Sequence, residues 1–222
     1  MKKNKLIEFD HLYAKALKCF YFVGIDEVGR GALAGPVIAC AFAWKKEINL
    51  RTNKKILNSL LKLNDSKQLT KTERERLYNI LLKLGNYGLG SASVQEIDKL
   101  NILNATFLAM KRAYESLSLS LGKTKLEPYV LIDGNKSNPY INSRQSFIVN
   151  GDAKSSVIAS ASIIAKVYRD MLMEKISVLD KYKKYAWNRN VGYGTLSHRK
   201  AIKRYGITAL HRKLFVRKTL AS

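Results

Sequence analysis

Residues 24–31 of the chain are GIDEVGRG, a stretch that puts two carboxylates, Asp26 and Glu27, directly after a short apolar run. The apolar and aromatic residues 21–25 predict a β-strand that ends at these acids. Successive side chains of an extended strand point to opposite faces of the sheet. For both acids to serve one site, the strand must end or bulge between them, and we expect the turn into Gly29 to do this.

Strand and helix patterns alternate along the rest of the chain. Thr70 and Glu73 have the spacing of a capping box and predict the start of a helix, and the apolar spacing over 96–117 fits one long helix or two in succession. Strand pairs come first, and strands that alternate with helices follow, so we predict a mixed α/β sheet. The further predicted strands cover 36–44, 86–94, 127–134 and 143–149, and the predicted helices cover 70–83, 96–117 and 152–182.

Length and composition fit one large domain with its own core, since 46% of the 222 residues are hydrophobic. Two cysteines, Cys19 and Cys40, are too few for a disulfide framework and favour a reducing compartment. The N-terminus lacks the apolar region of a signal peptide, and no apolar stretch approaches the roughly 20 residues that span a bilayer. We therefore expect a cytoplasmic protein with no membrane partner, and a monomer by default.

The charge of the chain is strongly positive and unevenly distributed. Forty Lys and Arg against seventeen Asp and Glu give a net charge of +23, and no acidic residue follows Asp180. A lysine-rich composition from an AT-rich genome would raise the charge, but it would not remove the acids from one end. Basic residues interleaved with stackable rings are typical of a nucleic-acid groove. The aromatic residues in question are Tyr182, Tyr185, Trp187, Tyr193, Tyr205 and Phe215.

Three acids follow predicted strands. Asp26 and Asp133 each terminate an apolar run, and Asp152 follows a strand and precedes a long helical pattern. Open α/β sheets bind ligands at the carboxyl ends of their strands. Acids that converge there repel one another unless a cation lies between them, and oxygen ligands without nearby Cys or His indicate Mg²⁺ or Mn²⁺. Two such ions about 4 Å apart can bind the attacking and leaving oxygens of a phosphodiester.

Each acid also has a purely structural interpretation. Asp133 with the following glycine is a common turn signal, Asp152 is a good helix N-cap, and Asp26 with Glu27 fits a surface pair. The conjunction of the acids at strand ends favours a site. Asp170 is a weaker candidate, because eighteen residues of continuous helix would separate it from Asp152 by about 27 Å, and we expect it on a helix surface or behind the site.

Other chemistries find little support in the sequence. The three histidines, His11, His198 and His211, are not spaced as a metal pair on one helix face, and no GxSxG elbow is present. The glycine-rich stretch after Glu27 lacks the GxxxxGK[ST] pattern of a nucleotide P-loop, so no nucleotide cofactor is expected. Glycines directly after two acids instead let the backbone approach a sugar-phosphate closely.

Five blocks of the sequence have to be considered together: GIDEVGRGALAGPVIACAF, NDSKQLT, VLIDG, GDAKSSVIASASIIAKVYRD and NVGYGTLSHRKAI. They resemble ribonuclease HII, the bacterial type 2 ribonuclease H, in the family's order and over nearly the whole chain, from about Phe22 to Arg212. The resemblance implies a ribonuclease H-like mixed sheet flanked by helices, with a catalytic core over 1–180 and a basic C-terminal helical region of the same domain over 181–222. One departure is the stretch GITALHRKLF, where the family often has Gly-Pro and a Ser-Phe pair.

The resemblance also implies an activity and a set of site residues. It implies metal-dependent hydrolysis of RNA in RNA–DNA hybrids and incision 5′ of ribonucleotides embedded in duplex DNA, which leaves a 3′-hydroxyl and a 5′-phosphate. The alternative is a non-catalytic nucleic-acid-binding protein that retains the fold. The implied catalytic and metal-binding residues are Asp26, Glu27, Asp133 and Asp152. The implied substrate contacts are Gly29, Arg30 and Gly31 at the 2′-hydroxyl, Lys67 at a phosphate, and Tyr193 at the sugar past the RNA–DNA junction.

Overall fold

The fold was analysed in a computed structural model that describes residues 4–19, 21–45, 63, 69–121 and 128–221. In this part of the chain five strands form one sheet in the order β3-β2-β1-β4-β5. β1 pairs antiparallel with β2, and β2 with β3, whereas β1–β4 and β4–β5 are parallel pairs. The mixed sheet predicted from the sequence is confirmed. The strands are β1 (Phe22–Val28), β2 (Val37–Trp44), β3 (Gly85–Ala92), β4 (Tyr129–Asp133) and β5 (Gln145–Ile148).

The helices form two long layers and a group of short C-terminal elements. Their bounds are α1 (Lys5–Leu17), α2 (Lys71–Leu84), α3 (Val94–Leu121), α4 (Ser156–Ser177), α5 (Asp180–Lys183), α6 (Trp187–Asn190), α7 (Leu196–Tyr205) and α8 (Lys213–Ala221). The capping box of Thr70 and Glu73 begins α2 as predicted. Within α3, Asn101 has φ 66°, and its side chain accepts the N–H groups of Leu103 and Asn104. This segment is therefore two helices in succession.

The sheet is covered on both faces. Along β1, Phe22 packs in the cluster that contains α4, whereas Val23 and Ile25 pack in the cluster that contains α3. This alternation follows from the two-residue period of a strand. The single helix predicted over 152–182 is divided, because a 3₁₀ turn at Gly151–Ala153 precedes α4, and α5 follows it.

Gly24 lets α4 lie directly on the sheet. A Cβ atom on Gly24 would come within 2.3 Å of the backbone carbon of Val157 and 2.4 Å of the nitrogen of Ile158. No larger residue fits at this point without moving the helix away from β1. The start of α4, and the turn before it, are thereby held against the strand that carries Asp26.

The N-terminal helix caps α4 from outside. Asp10 of α1 accepts hydrogen bonds from the backbone N–H groups of Ser156 (2.9 Å) and Val157 (3.3 Å) and from the Ser156 hydroxyl. A carboxylate at a helix N-terminus satisfies backbone donors that have no partner within the helix. Burial nevertheless raises the pKa of Asp10 to about 6, against the opposing effect of these hydrogen bonds.

The C-terminal elements build a third apolar cluster on the loop between β1 and β2. Leu33 and Ala34 of that loop pack with Met173 of α4 and with Trp187 and Ile202.

In the described part of the chain, no helix combines the length and the apolar character needed to cross a membrane.

We predict that Gly24→Ala lowers the free energy of unfolding by about 3 kcal/mol, because its methyl group overlaps the backbone of α4. Urea denaturation measures the change. Gly31→Ala is the matched control, since a Cβ on Gly31 meets no atom within 4 Å. Equal stabilities of the two variants would contradict the close approach of α4 to β1.

A second prediction concerns pH. The pKa of Asp10 is raised from 3.8 to about 6 on folding, so its contribution to stability is fully present below pH 3.8 and is lost as the pH rises through 6. The unfolding free energy of the wild type relative to Asp10→Asn should therefore fall between pH 4 and pH 7, by at most about 3 kcal/mol. A pH-independent difference between the two proteins would show that Asp10 titrates normally.

Candidate active site

Two predicted site acids lie side by side at the carboxyl ends of parallel strands. β1 and β4 pair with Ile25 opposite Ile132, so the next residues, Asp26 and Asp133, come level with each other. Both have the strand parity of the residues that face α4. Asp26 is buried, with 6% of its surface exposed, and Asp133 is half-buried.

The turn before α4 brings the third acid to the same edge. The backbone N–H of Gly151 donates to Oδ1 of Asp133 at 2.6 Å. Asp152 follows directly in the 3₁₀ turn and is buried. The hydrogen bond therefore joins the end of β4 to the segment that carries Asp152, and the predicted convergence of these acids follows from it.

The expected bulge between Asp26 and Glu27 is absent, and that prediction was wrong. β1 stays in regular register with β2 through its last residues, with Asp26 opposite Cys40, Glu27 opposite Ala39 and Val28 opposite Ile38. The antiparallel ladder to β2 continues after the pairing with β4 has ended, and it keeps the strand regular. Glu27 therefore points away from the α4 face, which counts against its side chain as a ligand beside Asp26.

Glu27 instead pairs with the loop that follows. Its Oε1 atom accepts a hydrogen bond from Nη1 of Arg30 at 3.0 Å, and the Arg30 side chain is half exposed. Burial raises the pKa of Glu27, the charge and hydrogen bond of Arg30 oppose this, and the negative charge of Asp133 adds to the rise. Glu27 thus remains within electrostatic range of the other acids.

The carboxylates repel one another in a poorly hydrated place. Burial raises the pKa of Asp26 well above its ordinary value, and the charges of Glu27 and Asp133 raise it further. The hydroxyl of Ser162 on α4 and the N–H of Glu27, which donates to Asp26 Oδ1 at 2.7 Å, act in the opposite direction. Such a site favours a bound cation or a proton.

The side chains do not form a closed cage as they stand. Within residues 4–19, 21–45, 63, 69–121 and 128–221, no three His, Cys, Asp or Glu side chains are grouped so that they could hold a metal ion. Asp26, Glu27 and Asp133 each direct an oxygen at a protein donor. Asp170 pairs with Lys166 at 2.8 Å on the surface of α4, the first of the two positions expected for it.

The glycine-rich loop, residues 29–36 between β1 and β2, lies beside the Tyr193 loop, residues 191–195 between α6 and α7. Gly29 has φ 89°, a conformation that favours glycine, and Arg30 and Gly31 are exposed. The carbonyl of Gly192 accepts the N–H groups of Leu33 at 2.8 Å and of Ala34 at 3.2 Å. These bonds hold the backbone next to Tyr193 against the loop that contains Gly29, Arg30 and Gly31, whereas Lys67 lies outside the described residues.

Sequence comparison now identifies the relatives of the chain. The family model for ribonuclease HII matches residues 23–219. Ribonuclease HII of Fusobacterium nucleatum is 48% identical over 211 residues, which cover 94% of this chain and 92% of that protein. Ribonuclease HII of Pelagibacter ubique is 46% identical over 193 residues, 86% and 94% of the two chains. The chain belongs to the ribonuclease HII family. It is accordingly a ribonuclease H.

Solved structures support the fold. The archaeal ribonuclease HII from Archaeoglobus fulgidus, solved in a complex with PCNA, matches with a TM-score of 0.66 and 24% identity over 87% of this chain and 94% of its own. A ribonuclease HIII, called Bst-RNase HIII and solved in complex with Mn²⁺, matches with a TM-score of 0.69 and 20% identity over 95% and 72%. The ribonuclease H-like fold predicted from the sequence is confirmed.

The sequence analysis did not single out two buried arginines, Arg169 and Arg212. Arg169 of α4 donates to the carbonyls of Pro36 (3.0 Å), Val191 (2.8 Å) and Ala34 (3.1 Å). One side chain thus ties the glycine-rich loop to the Tyr193 loop. Its guanidinium carbon also lies 5.4 Å from the centre of the Tyr193 ring.

Arg212 has a similar function and spans the glycine-rich loop from Arg30 to Gly35. It donates to the carbonyls of Arg30 at 2.7 Å and of Gly35 at 2.8 and 3.0 Å. Burial, and to a smaller extent the charge of Arg169, lowers the pKa of Arg212 to about 9.

The sequence does contain a signal for Arg169, because it follows Ser162 and Ala165 at helical spacing and so falls on the face of α4 that meets the sheet.

The expected row of stackable aromatic rings is largely buried, which corrects the sequence prediction. Tyr182, Tyr185 and Trp187 are 7%, 1% and 0% exposed. They pack on one another, with ring centres 4.9 and 5.5 Å from that of Trp187, because the C-terminal region needs an apolar core of its own. Tyr205 is exposed, and Tyr193 is half-buried.

We predict that Arg169→Met lowers the free energy of unfolding by about 3 kcal/mol or more, because three loop carbonyls lose their donor. Urea denaturation is again the measurement. Arg217→Met is the control, since Arg217 is exposed on α8, and its effect should stay within about 0.5 kcal/mol. A stability of Arg169→Met close to that of the control would remove Arg169 from its bridging role.

Proposed function

We propose that the enzyme hydrolyses the RNA strand of RNA–DNA hybrids and incises 5′ of ribonucleotides embedded in duplex DNA, leaving a 3′-hydroxyl and a 5′-phosphate. The observation that carries this proposal is the adjacency of two surfaces. Carboxylates meet where β1 and β4 end, and the glycine-rich loop begins three residues after Asp26. A phosphate bound at the acids and a sugar bound at the loop would then be neighbours on one nucleic-acid strand.

Divalent metal ions fit the chemistry of this site. Its donors are carboxylate oxygens, which suit Mg²⁺ or Mn²⁺. Burial, and then repulsion from Glu27 and Asp133, raises the pKa of Asp26, and a cation would relieve that repulsion. Asp26, Asp133 and Asp152 would hold the metal, and Glu27 would add negative charge from the neighbouring strand position. When bound, such ions neutralise phosphate charge and lower the pKa of water.

The glycine-rich loop is the proposed reader of the 2′-hydroxyl, the group that distinguishes RNA from DNA. Gly31 is exposed, with no atom within 4 Å of where a Cβ would lie, whereas the missing Cβ of the buried Gly29 makes room for the Arg169 side chain. The Arg30 side chain is held by Glu27. Arg169 and Arg212 fix the carbonyls on the inner side of the loop, so its outer side is presented in one conformation. Tyr193 is proposed to pack on the sugar past the RNA–DNA junction.

The C-terminal region is proposed to hold the duplex as part of the same domain. Residues 181–222 contain twelve basic residues and no acidic one, and all but Arg212 are partly or fully exposed. Apolar residues of the same region, such as Trp187 and Ile202, share a cluster with Leu33 and Ala34 of the glycine-rich loop. Positive charge on this face would bind phosphates without regard to sequence.

The decisive assay is incision of a DNA duplex with one embedded ribonucleotide, in Mg²⁺ or Mn²⁺. We predict that Asp26→Asn keeps its affinity for the duplex but loses at least about a hundredfold in kcat. Glu27→Gln should lose less, about tenfold, because its strand position turns it away from Asp26 and Asp133. Fluorescence anisotropy without metal measures the affinities.

Asp180→Asn is the matched control, because this acid is exposed and pairs with Lys183 of its own helical turn. It should incise like the wild type. Binding without incision by the wild type in either metal would leave the non-catalytic alternative. A loss in Glu27→Gln as large as that in Asp26→Asn would return Glu27 to an equal role.

A further inference from the structure

Two buried histidines face each other beneath the Tyr193 loop. The Nε2 atoms of His198 and His211 are 3.2 Å apart, and the residues are 0% and 1% exposed. The function proposed above uses neither of them. His11, the third histidine, is exposed on α1.

The neighbouring donors fix the protonation of both rings. The indole N–H of Trp187 donates to Nε2 of His198 at 3.0 Å, and the backbone N–H of Thr208 donates to Nδ1 of His211 at 2.9 Å. Indole and peptide nitrogens can only donate, so each of these ring nitrogens must carry a lone pair. His198 is therefore the Nδ1–H tautomer and His211 the Nε2–H tautomer, and both are neutral. Burial favours the same state, since it lowers the pKa of both rings.

These tautomers give the hydrogen bonds one direction. Thr208 donates to His211, His211 donates through Nε2–H to His198, and His198 donates through Nδ1–H to the carbonyl of Tyr193 at 2.9 Å. Each ring accepts on one side and donates on the other. This series of hydrogen bonds ends at the backbone carbonyl of Tyr193, the residue proposed to contact the sugar.

The backbone around His211 is joined to the glycine-rich loop. His211 forms a β-bridge with Ala34. The N–H of Gly35 donates to the carbonyl of Leu210, and the N–H of Arg212 donates to that of Leu33, both at 2.8 Å. The histidine pair therefore connects the backbone beside the glycine-rich loop with the backbone that carries the Tyr193 ring.

We propose that His198 and His211 are positioning residues, which as a neutral pair of opposite tautomers set the place of the Tyr193 ring relative to the glycine-rich loop. The proposal rests on the proposed role of Tyr193 at the RNA–DNA junction. The pair touches no substrate and acts through the Tyr193 carbonyl. Its loss should therefore misplace the ring and leave the carboxylates in position.

The tautomers can be tested without substrate. Two-bond ¹H–¹⁵N correlation spectra of the ¹⁵N-labelled protein at pH 7 distinguish Nδ1–H from Nε2–H imidazoles, with His198→Asn and His211→Asn used for assignment. For the two buried rings, we expect one of each tautomer and neither as an imidazolium. The same tautomer in both buried rings, or a charge on either of them, would overturn the proposal.

Kinetics test the link to Tyr193. Tyr193→Ala removes the ring but keeps the carbonyl, so His198→Leu should lower kcat/KM for the ribonucleotide-containing duplex about tenfold in the wild type and less than about twofold in Tyr193→Ala. A buried histidine with a purely structural role would give the same loss in both backgrounds, which would overturn the proposal. His11→Leu is the control for the substitution itself and should behave as the wild type.

A conservative variant separates positioning from folding. The amide of Asn in His198→Asn can still donate to the Tyr193 carbonyl from near the Nδ1 position, so this variant should retain most of the activity lost in His198→Leu. Equal losses in the two variants would contradict the proposal. An inactive wild type would instead refute the proposed function, and the spectra would still decide whether the tautomeric pair exists.

Discussion

The contact of α4 with β1 at Gly24 is the constraint on which the rest of the structure depends. Because no Cβ separates the two backbones, the helix begins next to the strand that carries Asp26. One rigid element then delivers three groups to one place: the turn with Asp152 before its first residue, Ser162 beside the Asp26 carboxylate, and Arg169 beneath the loops. A helix seated farther from the sheet would separate all three from the strand ends.

Much of the site could be predicted because it follows from strand endings. Asp26 and Asp133 terminate apolar runs, and parallel pairing brings such ends to one edge of a sheet. Asp152 lies between a strand pattern and a helical pattern, directly after Gly151. This position fits a turn that comes back to the same edge of the sheet. The capping box at Thr70 was equally local, since its donors and acceptors lie three residues apart. Each of these inferences needed short-range sequence information and one general rule of sheet topology.

Two of the features that the sequence did not predict depend on partners that are distant in sequence. The regular course of β1 past Glu27 depends on its ladder with β2, and the sequence does not reveal where that ladder stops. Arg169 is buried because carbonyls from residues 34, 36 and 191 surround it, a set that exists only in the folded chain. Trp187 was expected to stack on nucleic acid, yet its ring is enclosed by Tyr182 and Tyr185. An apolar core and a binding surface draw on the same aromatic residues, and composition cannot distinguish them.

The two kinds of charge at the site are stabilised in different ways, and this difference explains its organisation. Arg169 and Arg212 are satisfied by neutral carbonyls, so they rigidify the loops without neutralising the acids. The carboxylates keep their mutual repulsion, which adds to the effect of burial in raising the pKa of Asp26 and costs stability. Were Arg169 to pair directly with Asp26, the fold would gain an ion pair, but the acids would lose their attraction for a cation. Carbonyl-bound arginines therefore allow a rigid loop, the proposed reader of the 2′-hydroxyl, to lie beside carboxylates that stay available for the proposed metal ions.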